Sequence, residues 1–408
     1  MKEVSYLIEM PVAFTGQKSD KRRRDSEMPK NRDDRSGSMG DGKNGSGNRK
    51  KPGMNMKKVF AISFCIVLGV VLISGGVIYK FGHDLYSNVN YVADEDIKTV
   101  ETLPEEAVEE TLSTEERTGV AVNESELESI HDKMKKSTTD VETKSDDDIY
   151  NLLLIGVDRR DKTWNGNSDS MILVSINKAK NKVSMVSLMR DTYVDIEGVG
   201  YAKLNAAYAY GAGPLLCQTI TDTFRIKVDR YVAVDFFDLI DIINIIGGVD
   251  LEISAKEAEV ANGYIMDMCN LMDIDGSEHM IPSEGGMVHC DGVQAVAFAR
   301  NRYVGNSDFE RTERQRYVMT QLMAEAKQMS LAQMTEKMQE ILQHVTMNIP
   351  ETEIWSMITE VPEMLGYEFE QSRVPYDNMY DVIYVKGQDM LVPNWDETLT
   401  KLQEQIYG

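Results

Sequence analysis

The chain has 408 residues, of which 42% are hydrophobic and 27% are charged, so it is long enough to form a sizeable core. Its net charge of −23 is unevenly distributed: residues 1–58 carry 15 Lys or Arg and 8 Asp or Glu, residues 59–79 carry no charge, and residues 80–408 therefore sum to −30. Because so acidic a body would repel nucleic-acid phosphates, we expect no nucleic-acid partner.

Residues 1–58 form a basic tail, which we expect to be disordered because it has few large apolar side chains to bury. It is followed by Val59–Tyr79, 21 residues without a charge that would measure about 31 Å as a helix, enough to span a bilayer. Lysines precede this segment and an acidic excess follows it, so the positive-inside rule places the tail in the cytoplasm. The sequence therefore predicts a single-pass type II protein of the cell membrane, held by an uncleaved signal anchor.

Residues 80–148 are acidic and poor in aromatic side chains, and they are predicted to form an extracytoplasmic stalk, in which Asn123–Lys136 can form a helix with an Asx-type cap. Residues 149–408 are predicted to form a single domain. Its first three apolar runs indicate buried strands, the last two of them joined by a polar turn: Tyr150–Gly156, Met171–Ile176 and Val183–Leu188.

Helical patterns then alternate with strands. Asn205–Arg225 and Phe236–Ile246 are predicted helices, with a strand at Tyr231–Asp235 between them and a glycine pair ending the second helix. The remaining predicted helices are Phe309–Met329, Ala332–Val345, Glu351–Leu365 and Asp396–Tyr407, and the remaining strands are Phe369–Val374 and Asp381–Val385. This alternation is typical of the α/β fold class.

The cysteines and histidines leave the question of a disulfide open, but they argue against a zinc site and a catalytic triad. Cys65 lies in the apolar segment, which leaves an odd number of cysteines outside it; a Cys269–Cys290 disulfide and free thiols both remain open. No CxxC or HxxxH spacing occurs, so a zinc site is not expected. A GxSxG nucleophile elbow is also absent, and no histidine stands beside a plausible triad partner, which argues against triad hydrolysis.

Arginine and aspartate stand at the ends of the predicted buried strands, where α/β proteins tend to bind ligands. Asp158 and Arg160 follow the first strand, Asp169 opens the second, and Arg190 follows the third. Taken singly, each such residue is more often part of a surface ion pair. Their occurrence at successive strand ends indicates a ligand-binding site.

A second arginine group lies further along the chain. Arg300 and Arg302 alternate, which in an extended segment would direct both to one side. Arg311, Arg314 and Gln315 have the i, i+3 and i+4 spacing that places them on one helix face, which could equally be a solvated charged face. Concentrating arginine in so acidic a domain favours a phosphate site.

These residue types suit phosphoryl transfer. The arginine fork donates two parallel hydrogen bonds to phosphate oxygens, and nearby carboxylates suit Mg²⁺, which prefers oxygen ligands and bridges to substrate phosphates. Such a site needs no covalent nucleophile, because positioning and charge neutralisation supply most of the rate.

Seven motifs in order make the chain resemble the LytR-CpsA-Psr family over about residues 149–330. They are Asn151-Leu-Leu-Leu-Ile-Gly-Val-Asp158, Ser168-Asp169, Leu188-Met-Arg190-Asp-Thr192, Lys203-Leu-Asn205-Ala-Ala-Tyr208, Gly247-Gly-Val-Asp250, Ala295–Arg302 and Asp308–Gln315. The resemblance implies an extracytoplasmic α-β-α domain with a central mixed sheet on one transmembrane helix. It also implies a Mg²⁺-dependent transferase that moves a glycopolymer, such as teichoic acid or capsular polysaccharide, from a polyprenyl-pyrophosphate carrier to peptidoglycan.

Matched motif by motif, the resemblance assigns Asp158 and Asp169 to the metal. It assigns the pyrophosphate to Arg190, Arg300 and Arg302, with Arg160, Arg314 and Gln315 as further recurrent positions. Asp308 and Arg311 match a functional pair, and we count Arg190, Asp308 and Arg311 as the catalytic candidates.

One position departs from the family pattern. Asn167 stands before the Ser-Asp pair, where the family often has Arg, so one phosphate donor is lost. The resemblance also implies an apolar tunnel for the lipid between sheet and helices, to which Phe236–Ile246 could contribute, although ordinary core packing explains that helix equally well.

Two other functions fit the same residues. The site could hold a lipid pyrophosphate without turnover, in a regulatory module of the transcription-attenuator type, or it could hydrolyse the carrier, since water and a sugar hydroxyl are similar attacking groups.

Overall fold

The structure is a computed structural model, and it describes residues 83, 86–87, 89–104, 112–113, 117–159, 163–305, 308–364 and 366–408. The predicted cytoplasmic tail and the membrane-spanning segment Val59–Tyr79 lie outside these residues. Among the described helices, none is long and apolar enough to cross a bilayer.

Fourteen strands lie in the described part of the chain. They are β1 (Asn90–Tyr91), β2 (Val120–Ala121), β3 (Ile149–Asp158), β4 (Asn167–Asn177), β5 (Lys182–Leu188), β6 (Tyr193–Ile196), β7 (Gly200–Lys203), β8 (Arg230–Asp235), β9 (Val249–Ser254), β10 (Gly285–Cys290), β11 (Thr346–Met347), β12 (Glu368–Val374), β13 (Tyr380–Val385) and β14 (Gln388–Pro393).

The α-helices of the same residues are α1 (Glu124–Asp140), α2 (Ala206–Phe224), α3 (Phe236–Ile246), α4 (Ala255–Met272), α5 (Gly292–Arg300), α6 (Asp308–Gln328), α7 (Leu331–Ile341), α8 (Glu351–Met364) and α9 (Trp395–Tyr407). Short 3-10 helices occur at Gly276–His279 and Leu342–His344. Predicted and observed bounds of α3 agree, because Asp235 caps its first turn and Gly247, at φ 117°, ends it in the left-handed conformation.

A seven-stranded mixed sheet forms the centre, in the order β1-β11-β8-β3-β4-β5-β12. β3 pairs parallel with β8 and antiparallel with β4, β4 pairs antiparallel with β5, and β5 pairs parallel with β12. The carboxyl ends of β8, β3, β5 and β12 therefore meet the amino end of β4 at one edge of the sheet. The predicted α/β class with a central mixed sheet is confirmed.

The two faces of this sheet are covered differently. On one face, alternate β3 side chains such as Leu153 and Ile155 are almost fully buried against α2 and α9. There Trp395 meets Phe224 edge-on at 5.5 Å, which adds about 1 kcal/mol beyond the buried area. The opposite face, with Leu154, is covered by α3 and α6, but a cavity separates this part of the sheet from the helices.

Part of the predicted stalk belongs to the folded domain. β1 extends the central sheet beside β11, and β2 pairs with β13. α1 begins at a capping box formed by Asn123 and Glu126, as the sequence indicates for this helix, and it buries Met134 in the main core. The domain therefore begins before residue 149; the sequence misses this because two-residue strands have no readable periodicity.

The cysteines that the structure describes are free thiols. Cys269 and Cys290 lie in one apolar cluster, formed mainly by α3, α4, α5 and α6, and both are buried. Burial raises the pKa of Cys290 to about 12, so it is an inert core side chain.

Candidate active site

Asp169 reaches the sheet edge through a β-bulge. Gly156 pairs with Ser170 and Val157 pairs with Ser168, so Asp169 is the extra residue of β4 between them. Gly156 permits this close approach, because a Cβ added there would lie 2.9 Å from the Cβ of Ser170. Bulges of this kind re-aim a side chain, and this one turns Asp169 toward the cavity.

Two arginines from other elements converge on Asp169. Arg190, just beyond β5, donates from Nη1 to both carboxylate oxygens at 3.0 Å. Arg311, from the first turn of α6, places Nη1 3.7 Å from Oδ2 and donates from Nη2 to the Asp169 carbonyl at 3.4 Å. Burial alone would raise the pKa of Asp169, but the charges of Arg190 and then Arg311 outweigh it and hold the pKa below its ordinary value. Asp169 is therefore ionised at neutral pH.

Arg300 and Arg302 line the same cavity, although the predicted extended segment is wrong for Arg300. Arg300 is the last residue of α5, which begins at an Asp291 capping box, and only the chain after it is extended. Its guanidinium lies 3.5 Å from Asp158 and stacks 4.6 Å above the ring of Phe236. The aromatic contact holds the guanidinium at the sheet edge.

The three polar residues predicted on one face of α6 separate. Arg311 and Gln315 face the cavity, whereas Arg314 is turned to the other side of the helix. Because successive residues turn by about 100°, Gln315 lies roughly 40° from Arg311 on one side and Arg314 roughly 60° on the other. The structure does not bring Arg314 to the proposed phosphate site.

Arg314 instead holds the segment that carries Arg302. Its Nε donates to Glu257 at 2.8 Å, and its two terminal nitrogens donate to the carbonyls of Asn301 and Val304 at 3.1 and 3.0 Å. Arg314 is 6% exposed. Burial alone would raise the pKa of Glu257, but hydrogen bonds from Ser254 and Arg314, and then the charge of Arg314, hold that pKa below its ordinary value. Arg314 therefore positions the Arg302 segment rather than contacting the cavity.

The structure does not describe the side chains of two further candidates. Arg160 lies outside the described residues, and Asp308 is described only as the first backbone position of α6.

The cavity between the sheet and the helices has a volume of about 420 Å³ and two unlike ends. Charged and amide side chains lie at the sheet edge: Asp158, Asp169, Arg300, Arg302, Arg311 and Gln315. The body is apolar and includes Leu154, Ile172, Val232, Phe236, Leu239, Ile242, Val318, Leu322, Ile341 and Val345.

The face of α6 shows the same division along its length. From Arg311 and Gln315 the lining continues through Val318, Leu322 and Ala326, and the 15 residues from Arg311 to Ala326 rise about 22 Å. A ligand that fills this cavity would be anionic at one end and a long hydrocarbon at the other. Part of the apolar surface of α3, such as Leu239, lines this open space, whereas Ile240 and Ile243 pack in the core, so the helix contributes to both.

The charged end of the cavity, at the sheet edge, forms its mouth. Carboxylates at this mouth suit a divalent cation. Mg²⁺ takes one or two protein carboxylates and completes its shell with water and substrate phosphates. Asp158 and Asp169 both line the mouth, and the Asp158 side chain is 40% exposed, whereas both Asp169 oxygens accept from Arg190. The donor set fits Mg²⁺, with Asp158 offering the more accessible oxygens.

The residues that support Arg190 and Arg300 were given no supporting role from the sequence, although Asp191 stands beside Arg190 at the end of the third predicted strand. Asp191 lies 3.4 Å from Nε of Arg190 and 2.7 Å from Nζ of Lys203, so the two cations share one carboxylate. Lys203 stands in one of the family motifs, which was the available signal. Tyr264, 5.7 Å from the Arg300 guanidinium, had no signal, because α4 was not predicted.

Comparison with known proteins agrees with this geometry. The chain matches the LytR_cpsA_psr family over residues 117–404. It belongs to the LytR-CpsA-Psr family. The matched region starts before residue 149, as does the folded domain, and it contains every predicted site residue, so the resemblance inferred from the motifs is confirmed.

Two relatives of this LytR-CpsA-Psr protein have informative names. Biofilm regulatory protein A of Streptococcus mutans is 33% identical over 241 residues, which cover 55% of this chain and 54% of that protein. The Enterococcus faecalis protein named polyisoprenyl-teichoic acid–peptidoglycan teichoic acid transferase TagU is 28% identical over 354 residues, 86% of this chain and 96% of that protein. The chain thus spans about half of the first relative and nearly all of the second.

The fold is also that of solved LytR-CpsA-Psr structures. The structure of TagT bound to LI-WTA superposes with a TM-score of 0.51 at 24% identity, covering 64% of this chain and 92% of that one.

Proposed function

We propose that the chain is a Mg²⁺-dependent phosphotransferase that moves a glycopolymer from a polyprenyl-pyrophosphate carrier to peptidoglycan. The observation that supports this proposal most directly is that an arginine-lined mouth continues into an apolar cavity. A polyprenyl pyrophosphate likewise has a charged head joined to a long hydrocarbon chain. The name of the E. faecalis relative supports the reaction class. Teichoic acid and capsular polysaccharide are the glycopolymer classes that we propose.

In the proposed reaction, a peptidoglycan hydroxyl attacks the phosphorus nearer the sugar. A bond forms between that oxygen and the phosphorus, the bond to the bridging oxygen breaks, and the lipid monophosphate leaves, so the glycan becomes linked by a phosphodiester. Arg190, Arg300 and Arg302 bind the pyrophosphate oxygens, with Arg311 and Gln315 beside them. A guanidinium suits this task because it keeps its charge while it neutralises the leaving phosphate.

Asp158 and Asp169 would hold Mg²⁺, which when bound would neutralise phosphate charge beside the arginines. The Asp169 carboxylate has a second task in this scheme, because it holds Arg190 and Arg311 beside the mouth before substrate arrives. Asp308, which begins the helix that carries Arg311, is our candidate for orienting that arginine or for accepting the proton of the attacking hydroxyl. We place Arg160 among the pyrophosphate ligands on the family motif alone.

We also propose that the protein is anchored in the cell membrane through Val59–Tyr79, with the domain on the outer side. The charge distribution about this segment supports that orientation, and it would bring the cavity close to a lipid carrier.

The test is a transfer reaction with the full-length chain in detergent. We expect lipid-linked glycan, Mg²⁺ and peptidoglycan to yield a phosphodiester-linked product, with free polyprenyl monophosphate as the second product. Arg190→Ala should abolish transfer, while the matched variant Arg373→Ala should retain it. Arg373 lies at the same sheet edge but stacks 4.2 Å from the ring of Phe309 and pairs with Asp377, whereas Arg190 pairs with Asp169 of the cavity lining. Absence of product across several glycan donors would contradict the proposal.

The same assay distinguishes the two alternatives. If the wild type binds the lipid but neither transfers nor hydrolyses, the regulatory binding module is favoured. If polyprenyl monophosphate appears without a peptidoglycan adduct, the protein is a carrier hydrolase. Mass spectrometry of lipids that co-purify with the full-length chain would report which carrier it binds.

A further inference from the structure

A group of metal-ligand side chains lies apart from the arginine-lined mouth. Asp238 and Asp241 are three residues apart on α3, and His344 belongs to the 3-10 helix Leu342–His344. One ligand atom from each lies within 4.8 Å of the others, and within the described part of the chain this is the single such group of three. Nδ1 of His344 is 3.0 Å from Oδ1 of Asp238 and 3.6 Å from Oδ2 of Asp241.

The other histidine–aspartate contacts of the domain have fewer ligands. His279 lies 2.6 Å from Asp291, and His289 lies 2.7 Å from Asp250, each as a contact with one carboxylate. An ordinary ion pair explains those two contacts. At His344 two carboxylates approach the same ring nitrogen, which is the arrangement in which a cation can replace a proton between them.

The separations between Nδ1 of His344 and the two carboxylates suit a small divalent ion. Ligand atoms about 2.1 Å from a tetrahedral Zn²⁺ lie roughly 3.4 Å from one another, and the observed separations of 3.0 and 3.6 Å bracket that value. Asp238 and His344 have side chains that are 22% and 25% exposed, so they are held in place, while Asp241 at 57% leaves a path for entry. One imidazole and two carboxylates suit Zn²⁺.

We propose that Asp238, Asp241 and His344 bind one Zn²⁺ ion, with water in the remaining position. The ion would join α3 to the segment that follows α7. Both elements line the apolar cavity away from the arginines, α3 through Ile242 and the segment after α7 through Val345. Zinc would thus hold together two walls of the proposed lipid cavity.

The proposed site differs from the expectation of no zinc, which rests on local spacing. His344 is 106 residues from Asp238, so no short motif contains the three ligands. The fold alone brings them together.

Zinc content and affinity of the full-length chain test the proposal. After dialysis against Zn²⁺ at about neutral pH, we expect wild type to retain one more Zn²⁺ per chain than His344→Ala. Asp241→Asn, which leaves the contact between His344 and Asp238 in place, should weaken Zn²⁺ binding by more than roughly 100-fold, since outer-shell changes alone cost 10–100-fold. Zinc should also raise the melting temperature of wild type but not of Asp241→Asn.

Two matched variants give the controls. His279→Ala removes a histidine paired with one carboxylate and should keep the Zn²⁺ ion. Asp158→Asn alters the mouth of the cavity and should keep it as well. Equal zinc content and equal melting temperatures in wild type, His344→Ala and Asp241→Asn would overturn the proposal, and so would loss of the ion in Asp158→Asn alone.

Discussion

Nη1 of Arg190 lies 3.0 Å from both carboxylate oxygens of Asp169, across the junction between β5 and the bulge in β4. The contact holds a cation against Asp169, which lines the mouth of an apolar cavity, before any phosphate is bound, and Arg311 lies on the same carboxylate. Preorganisation of this kind reduces the reorganisation that a transferring phosphoryl group requires.

Replacing Arg190 with Lys should lower transfer by on the order of 100-fold, because an ammonium keeps the charge but not the planar fork. Steady-state rates of phosphodiester formation measure the loss. Arg373→Lys is the matched control, and we expect it to leave the rate within about twofold. A rate for Arg190→Lys equal to that of wild type would show that only charge, not geometry, matters at this position.

Asp169→Asn should destabilise the domain by about 3 kcal/mol at pH 7, because it leaves Arg190 and Arg311 without their shared carboxylate. Since the pKa of Asp169 is lowered by folding, its contribution is complete above the ordinary value near 3.8 and disappears as the pH falls through the folded value. The difference in unfolding free energy between wild type and variant should therefore shrink on acidification.

Denaturant titrations at pH 7 and near pH 3 measure this dependence. Asp377→Asn provides the matched control, since Asp377 pairs with Arg373 but its side chain is 80% exposed. That change should cost less than about 1 kcal/mol. A difference in unfolding free energy between wild type and Asp169→Asn that stays constant with pH would contradict the assigned electrostatic role.

Arg314→Met should act on stability rather than on the phosphate site. It removes the donor to Oε1 of Glu257 and to the carbonyls of Asn301 and Val304, at a cost of about 3 kcal/mol. Arg311→Met should instead abolish binding of a polyprenyl pyrophosphate. Thermal unfolding and lipid binding, measured for both variants, separate the two roles. If Arg314→Met has the wild-type melting temperature but does not bind the lipid, Arg314 belongs to the phosphate site after all.

Ala326→Phe should shorten the hydrocarbon chain that the protein accepts, because Ala326 lines the cavity about 22 Å along α6 from Arg311. Binding of a long polyprenyl pyrophosphate should weaken about tenfold, while a short-chain analogue should bind as it does to wild type. Ala324→Phe, on the exposed side of the same helix, should change neither affinity. Equal effects of the two variants would place the lipid elsewhere.

Asn167→Arg should tighten binding of a pyrophosphate. Asn167 pairs directly with Asp158 across β3 and β4, so an arginine here would add a charged fork beside the mouth of the cavity. Calorimetric titration with a short-chain polyprenyl pyrophosphate should show an affinity several-fold above that of wild type. Unchanged affinity would mean that Asn167 marks a subfamily in which the neighbouring arginines suffice.

Local patterns in the sequence were enough for most elements near the site. Alternation and apolar runs place β3, β4 and β5, and the glycine pair after Ile246 and the cap at Asn123 place the end of α3 and the start of α1, because such signals act within one or two turns of chain. The family motifs supplied the residue types of the site. They also located Asp158, Asp169 and Arg190 at strand ends that do meet.

Side-chain direction and long-range proximity were decided only by the tertiary structure. The bulge aims Asp169, the phase of α6 turns Arg314 away from Arg311, and β1 and β2 join sheets whose partner strands lie more than 200 residues later. Each outcome depends on strand register, on helix rotation or on a contact between distant segments. Such relationships arise when the whole core packs, and no short stretch of sequence contains them.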